Sequence, residues 1–100
     1  MEKDLLKIIE HFGINNQQRK LKEEVFELQE AIIKREAVAG YEQEYLEEHK
    51  NHIAEEIVDV MILLEQFYYY YGLDQETLLK IEEEKLERTL QRIESGYYEK

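Results

Sequence analysis

The chain has 100 residues, no cysteine and no proline, and its 24 acidic and 13 basic side chains give a formal net charge of −11. This length predicts a single domain over residues 1–100. The negative charge argues against nucleic-acid and anionic-membrane partners, because both require a positively charged surface. The lack of cysteine excludes a disulfide framework and a zinc–thiolate site.

The first segment, "MEKDLLKIIEHFG", is polar and acidic and lacks the long apolar core of a signal peptide. No apolar run reaches the length that a membrane span requires. The sequence therefore predicts a cytoplasmic protein.

Residues that favour helices dominate the chain, and each of the four glycines follows a helix-like run, where a left-handed C-terminal cap is expected. This pattern predicts helices at about 3–12, 15–38, 41–71 and 75–94. Asp74 is the predicted N-cap of the last helix. The expected fold is all-α, an antiparallel four-helix bundle that a second copy of the chain completes.

Two acidic motifs stand in the second and third predicted helices, "EEVFE" at Glu23–Glu27 and "EEIVD" at Glu55–Asp59. At about 100° per residue, Glu24 and Glu27 lie along one border of the apolar stripe of their helix. Glu56 and Asp59 occupy the same border on the next helix. If the two stripes pack antiparallel, these four carboxylates converge at one rim. The apolar stripes are Leu21, Val25, Leu28 and Ile32, and Ile53, Ile57, Val60, Leu64 and Phe67.

Two interpretations of these acids remain open. Charged residues on amphipathic helices usually form a solvated face with no further role. However, two carboxylates about 4 Å apart repel each other by roughly 4 kcal/mol at an effective dielectric constant near 20. Divalent cations that prefer oxygen ligands, Mg²⁺ or Mn²⁺, would remove that repulsion.

At these residues the chain resembles the MazG-like members of the all-α nucleoside triphosphate pyrophosphohydrolase superfamily, whose signature is E-x-x-E followed by E-x-x-D. The resemblance extends from "QQRKLKEEVFELQEAI" through "EEIVDVMILLEQF" to "KLERTLQRIESGYYEK".

This resemblance implies a helical bundle that assembles as a homodimer or a homotetramer. It also implies cleavage of a nucleoside triphosphate between its α- and β-phosphates, with Mg²⁺ as the cofactor. By the same comparison, Glu24, Glu27, Glu56 and Asp59 would be the metal ligands. Glu24 and Glu23 are the candidates for orienting the attacking water, Glu23 being the weaker one and also a candidate outer ligand.

Basic and amide side chains supply candidates for substrate binding. Lys20 lies one turn before Glu24 on the acidic edge, and Gln17 lies close to that edge, where its amide could contact a base. The last predicted helix carries Lys85, Arg88 and Arg92 along one side, and such cations suit phosphate oxygens. The alternative for these cations is pairing with glutamates of their own helix.

Two other functions compete with the hydrolase. A di-iron carboxylate bundle requires E-x-x-H motifs on two helices, and no glutamate in this chain has histidine three positions later. A non-catalytic acidic helical bundle, binding metal or nucleotide without turnover, remains the alternative. Within the hydrolase class, nothing in the sequence selects a base.

Overall fold

The computed structural model describes residues 1–38, 40 and 43–96 of the chain. This part of the chain contains four α-helices and no strand: α1 (Glu2–Phe12), α2 (Ile14–Ala37), α3 (Gln43–Tyr70) and α4 (Gln75–Glu94). The predicted all-α class is confirmed, and the observed helix ends lie within about two residues of the predicted ones. The predicted start of the third helix, near residue 41, and the C-terminal residues 97–100 lie outside the described residues.

A single glycine separates α1 from α2. Gly13 has φ 88° and ψ 146°, and its N–H donates to the carbonyl oxygen of Ile9 at 2.8 Å. Residues other than glycine rarely adopt this positive φ, so glycine lets the chain turn between the two helices without a longer loop. The ψ angle lies outside the left-handed helical region, so the predicted left-handed cap is wrong for α1.

The helices α2 and α3 form an antiparallel pair, with α1 packed against both and mainly against α3. Near one end of the pair, Gln17 on α2 donates a hydrogen bond to Gln66 on α3 at 2.8 Å. Further along, Glu27 approaches Glu56. As residue numbers increase along α2, the residues that they contact on α3 decrease in number, as antiparallel packing requires. The buried apolar side chains around this arrangement are Leu5, Ile9, Ala31 and Leu63.

The predicted apolar stripes are only partly covered. On α2, the buried residues Gln17 and Ala31 lie within roughly 20° of the direction of Glu24 on a helical wheel. The sequence predicted a contact face centred on the middle of the apolar stripe. The observed contact face of α2 is instead centred close to the acidic residues. The outer half of each stripe is left exposed, at Val25, Ile32, Ile57 and Leu64.

These residues belong to a larger exposed surface, here called the uncovered apolar face. Around the helix axis, its members lie roughly 80–200° from Glu24 on α2 and from Glu56 on α3. Because the helices are antiparallel, this rotation carries both sets to the same side of the pair. The face consists of Val25, Phe26, Ile32 and Ile33 on α2 and Ile57, Val58, Met61 and Leu64 on α3.

The last helix packs against none of the other three described helices. Asp74 caps its start as predicted, accepting a hydrogen bond from the backbone N–H of Thr77 at 3.0 Å. The apolar side chains of α4 all remain exposed, Leu90 at 64%. The described residues of one chain thus form a packed unit of three helices, and completion of a four-helix bundle by a second copy stays a prediction. None of the described helices combines the length and apolar character needed to cross a membrane.

Candidate metal centre

Three of the four predicted ligands come together near the middle of the contact between α2 and α3. Glu24, Glu27 and Glu56 each place a carboxylate oxygen within 4.8 Å of the other two. Glu24 and Glu27 are one helical turn apart, so their side chains leave α2 on the same side. The antiparallel packing then brings Glu56 of α3 opposite them. The spacing of the two motifs predicted that four carboxylates converge, and the structure brings three of them together.

Asp59, the fourth predicted ligand, stands beside this cluster and is not one of its three members. It lines the same cavity as Glu24, and its charge is among those that raise the pKa of Glu24. Asp59 therefore adds to the negative potential at the cluster from the cavity side.

Two oxygens of the cluster have no hydrogen-bond donor. Glu24 Oε2 and Glu56 Oε2 are shielded from solvent, and neither has a partner among the described residues. A buried polar atom without a partner is costly, more so when it belongs to a charged group. These two atoms therefore indicate a site that calls for a positively charged ligand or for protonation.

The cluster changes the acidity of its central member. Partial burial raises the pKa of Glu24 above its ordinary value of 4.5, and repulsion from Glu27, Asp59 and Glu56 raises it further, while Lys20 acts in the opposite direction. The structure thus holds Glu24 in an environment that disfavours its negative charge.

A histidine approaches the cluster from the outside. His52 lies one turn before Glu56, and its Nε2 is 3.3 Å from Glu56 Oε1. His52 is not among the residues that the sequence predicted for the site. The contact occupies one oxygen of Glu56 and leaves the buried Oε2 without a partner.

A cavity of about 420 Å³ opens beside the cluster, between α1 and the α2–α3 pair. Its volume falls within the usual range of small-molecule sites, roughly 300–1,000 Å³. Charged side chains occupy one part of its wall, and apolar side chains and two amides form the rest. The lining residues are Ile8, Phe12, Gln17, Lys20, Glu24, Asp59, Ile62, Leu63 and Gln66.

The predicted substrate-binding residues separate into two groups. Lys20 and Gln17 line this cavity, whereas Lys85, Arg88 and Arg92 lie on α4, which packs against none of the helices that carry the acids. One chain therefore does not bring the α4 cations to the cluster. Neither Lys85 nor Arg88 forms an ion pair with another of the described residues, so the alternative pairing of these two cations with glutamates of α4 is not formed.

The predicted catalytic residues also differ in position. Glu24 lies in the cluster and lines the cavity. Glu23 is exposed on α2 and belongs to neither.

Sequence reasoning missed Gln66 and the wall that α1 supplies. Gln66 is seven residues after Asp59, just as Gln17 is seven residues before Glu24, and in an antiparallel pair these spacings bring the two amides together. This symmetry could have indicated Gln66. No sequence signal distinguished Ile8 and Phe12 from other apolar residues of α1.

The chemistry of these residues fits a divalent cation that prefers oxygen ligands. Glu24, Glu27 and Glu56 supply carboxylate oxygens, the ligand type that suits Mg²⁺ and Mn²⁺. The two partnerless oxygens belong to two of these three residues. A cation held here would satisfy both oxygens and reduce the repulsion among the carboxylates.

The chain matches no protein-family model, no curated protein and no solved structure. The resemblance of its two acidic motifs to the MazG-like family therefore stays a prediction.

Proposed function

We propose that this protein is a Mg²⁺-dependent nucleoside triphosphate pyrophosphohydrolase. The reaction adds water across the bond between the α- and β-phosphates and yields a nucleoside monophosphate and pyrophosphate. The observation that supports this proposal most directly is the carboxylate cluster with two buried, partnerless oxygens, Glu24 Oε2 and Glu56 Oε2.

The position of the cluster favours a phosphorylated ligand over a simple structural ion. Glu24 belongs both to the cluster and to the wall of the adjoining cavity, so a ligand in the cavity has direct access to the acidic site. A triphosphate is itself highly negative and would be repelled by these carboxylates alone. Glu24, Glu27 and Glu56 would hold Mg²⁺, or Mn²⁺ in its place, and the cation would supply the positive charge that lets this acidic site accept a triphosphate and activate water.

The side chains around the cavity can then be given roles. Glu27 and Glu56 would hold the cation together with Glu24, and Asp59 would contribute from the cavity side. Glu24 is a better candidate than Glu23 for orienting the attacking water, since Glu23 is exposed outside the cavity. Lys20 lines the cavity and can attract phosphate oxygens as a point charge.

The test is a pyrophosphate-release assay with the common and the chemically damaged nucleoside triphosphates, in the presence of Mg²⁺ or Mn²⁺. Glu24→Gln and Glu56→Gln each remove a negative ligand while keeping the shape of the side chain. We expect either change to lower kcat/KM by at least about a hundredfold, since even groups that only support a metal ligand typically contribute tenfold to a hundredfold.

Glu48→Gln is the matched control, because Glu48 is an exposed glutamate of the same helix as Glu56 and its replacement changes the net charge equally. Unchanged activity in the Glu24 and Glu56 variants would remove the assignment. Release of orthophosphate would remove the proposed bond specificity. Stabilisation by Mg²⁺ without turnover would instead support the non-catalytic binding module.

We further propose that the working molecule is an oligomer, a homodimer or a homotetramer. Eight apolar side chains of the uncovered apolar face are exposed on one side of the α2–α3 pair, and contiguous apolar surfaces of this kind mark association sites. A second copy that covers this face would also supply a second α4, with its Lys85, Arg88 and Arg92, to the assembly.

A further inference from the structure

The cavity beside the carboxylate cluster has a second polar feature, at some distance from the acids. Gln17 and Gln66 are the two buried polar residues recorded for the described part of the chain, with 3% and 2% of their surface exposed. They are joined by a hydrogen bond in which Gln17 Nε2 donates to Gln66 Oε1 at 2.8 Å. Both residues also line the cavity.

This hydrogen bond leaves one amide oxygen and one amide nitrogen of the pair without a partner in the part of the chain that the structure describes. Gln17 Oε1 is an acceptor and Gln66 Nε2 is a donor, and neither is engaged by another of the described residues. Neither atom belongs to the solvent-shielded, partnerless groups, which are the oxygens of Glu24 and Glu56. Because both residues line the cavity, the cavity is the space from which a ligand could reach this acceptor and this donor.

The remaining wall on this side of the cavity is apolar. Ile8 and Phe12 of α1 and Ile62 and Leu63 of α3 line the cavity together with the amides. An apolar wall with a few convergent polar groups is the usual construction of a site for a flat, partly polar ring.

The amides and the acids stand at a fixed separation. Gln17 is seven residues from Glu24, and Gln66 is seven residues from Asp59. Seven residues of α-helix rise by about 10 Å. A ligand that reaches both features must be elongated, with a hydrogen-bonding ring at one end and an anionic group at the other.

We infer that the Gln17–Gln66 pair reads the hydrogen-bonding edge of a nucleobase, and that α1 encloses that base. The inference rests on the proposed function for the identity of the anionic end. Through Gln66 Nε2 and Gln17 Oε1 the pair presents a donor group beside an acceptor, so a matching base presents an acceptor next to a donor. Pyrimidines and purines that carry an amino or oxo group beside a ring nitrogen meet this requirement.

The pair has one further property that bears on specificity. If both amides rotate together, Gln66 Nε2 donates to Gln17 Oε1, and the free donor and acceptor exchange places. One arrangement matches a base whose amino group donates beside an accepting ring nitrogen. The other matches a base whose oxo group accepts beside a donating ring N–H. The pair therefore accepts amino and oxo bases alike and discriminates against a ring that lacks the neighbouring group.

The test compares ligands with and without a base, using the full chain and Mg²⁺. The ligands are α,β-methylene nucleoside triphosphates, which resist cleavage, and inorganic tripolyphosphate, which lacks both base and sugar. The double variant Gln17→Leu/Gln66→Leu replaces both partners of the hydrogen bond, so that neither amide is left buried alone. We expect it to bind the nucleotide analogues about tenfold to thirtyfold more weakly, the loss of two modest hydrogen bonds.

Tripolyphosphate should bind the double variant as it binds the wild-type chain. The matched control is Gln43→Leu/Gln91→Leu, two exposed glutamines outside the cavity, and it should bind both ligands normally. An analogue with an unsubstituted purine ring should bind the wild-type chain more weakly than the adenine and hypoxanthine analogues do. Equal affinity of the double variant and the wild-type chain for the nucleotides would overturn the inference.

A metal-free measurement separates this inference from the proposed function. In ¹⁵N-labelled protein without Mg²⁺, added nucleosides should shift the side-chain amide signals of Gln17 and Gln66 and not those of Gln43 and Gln91. This shift, seen in a protein that releases no pyrophosphate, would support the base site and reject the hydrolase. Unshifted signals in a protein that does release pyrophosphate would reject the base site alone.

Discussion

At the scale of single residues, Glu24 is the side chain on which the site depends most. It takes part in the carboxylate cluster, lines the cavity and carries one of the two partnerless oxygens. Its raised pKa, caused first by burial and then by the neighbouring carboxylates, expresses the same unfavourable environment. The residue is therefore expected to lower the stability of the metal-free protein while it is ionised.

The sign of this effect follows from proton linkage. A carboxyl group with a raised pKa in the folded state binds protons more tightly there than in the unfolded chain. Protonated Glu24 contributes stability that is fully present below the ordinary pKa of 4.5 and is lost as the pH rises through the raised pKa. The metal-free chain should therefore be less stable than Glu24→Gln at neutral pH, and the difference should shrink on acidification.

Urea unfolding of both proteins in EDTA, measured at a series of pH values, checks this expectation. Added Mg²⁺ should then stabilise the wild-type chain more than Glu24→Gln. A difference between the two proteins that is independent of pH would contradict the account of Glu24.

At the scale of helices, the ends of α4 show how local chemistry determines an element. Asp74 accepts hydrogen bonds from the backbone N–H and the side-chain hydroxyl of Thr77, at 3.0 and 2.9 Å. These bonds lower the pKa of Asp74, because they favour its ionised form. Since α4 packs against none of the other described helices, it lacks the tertiary packing from which most helical stability in proteins comes.

Asp74→Ala should therefore fray the first turn of α4. We expect faster amide hydrogen exchange at Thr77 and its neighbours, with α1–α3 unaffected. Asp74→Asn should keep most of the protection, because asparagine is an equally good cap. Protection in the wild-type chain should fall as the pH drops through the lowered pKa of Asp74, since the contribution of a depressed carboxyl is present only above that pKa. Uniform exchange rates across the three proteins would show that α4 is held by something other than its cap.

At the scale of the whole molecule, the apolar surface that the chain does not bury is its most prominent feature. Among the residues that the structure describes, the buried apolar side chains are few, at Leu5, Ile9, Ala31 and Leu63, while the uncovered apolar face and the apolar side chains of α4 remain exposed. Small domains already bury a limited fraction of their surface, so this chain has a strong physical reason to associate. The net charge of −11 opposes association. This repulsion is weaker at physiological salt, which screens interactions between exposed charges more than about 8 Å apart.

Met61→Lys tests this argument at the middle of the uncovered apolar face. Light scattering coupled to size-exclusion chromatography should show an oligomer for the wild-type chain and a smaller species for the variant. Lysine makes the chain one unit less negative, so dissociation could not be attributed to increased net repulsion. Glu10→Gln changes the charge equally at an exposed position of α1 and should leave the oligomer intact. A wild-type chain that is monomeric at all concentrations would contradict the proposed assembly.

The sequence by itself determined the local features of this protein. The helix ends, the Asp74 cap and the common face of Glu24 and Glu27 follow from capping and from a period of about 3.6 residues, which involve neighbours along the chain. The convergence of Glu56 on that pair could also be predicted, because both motifs occupy the same position relative to their apolar stripes.

Only the tertiary structure decided which side of each apolar stripe is covered. An apolar stripe favours burial but does not specify a partner, since the hydrophobic effect is non-directional. The sequence therefore predicted four packed helices, but α4 packs against none of the other described helices. It also predicted buried apolar stripes, but the outer half of each stripe is exposed. The wall formed by Ile8 and Phe12 depends on how α1 meets the α2–α3 pair, and such contacts between distant residues arise only when the chain packs.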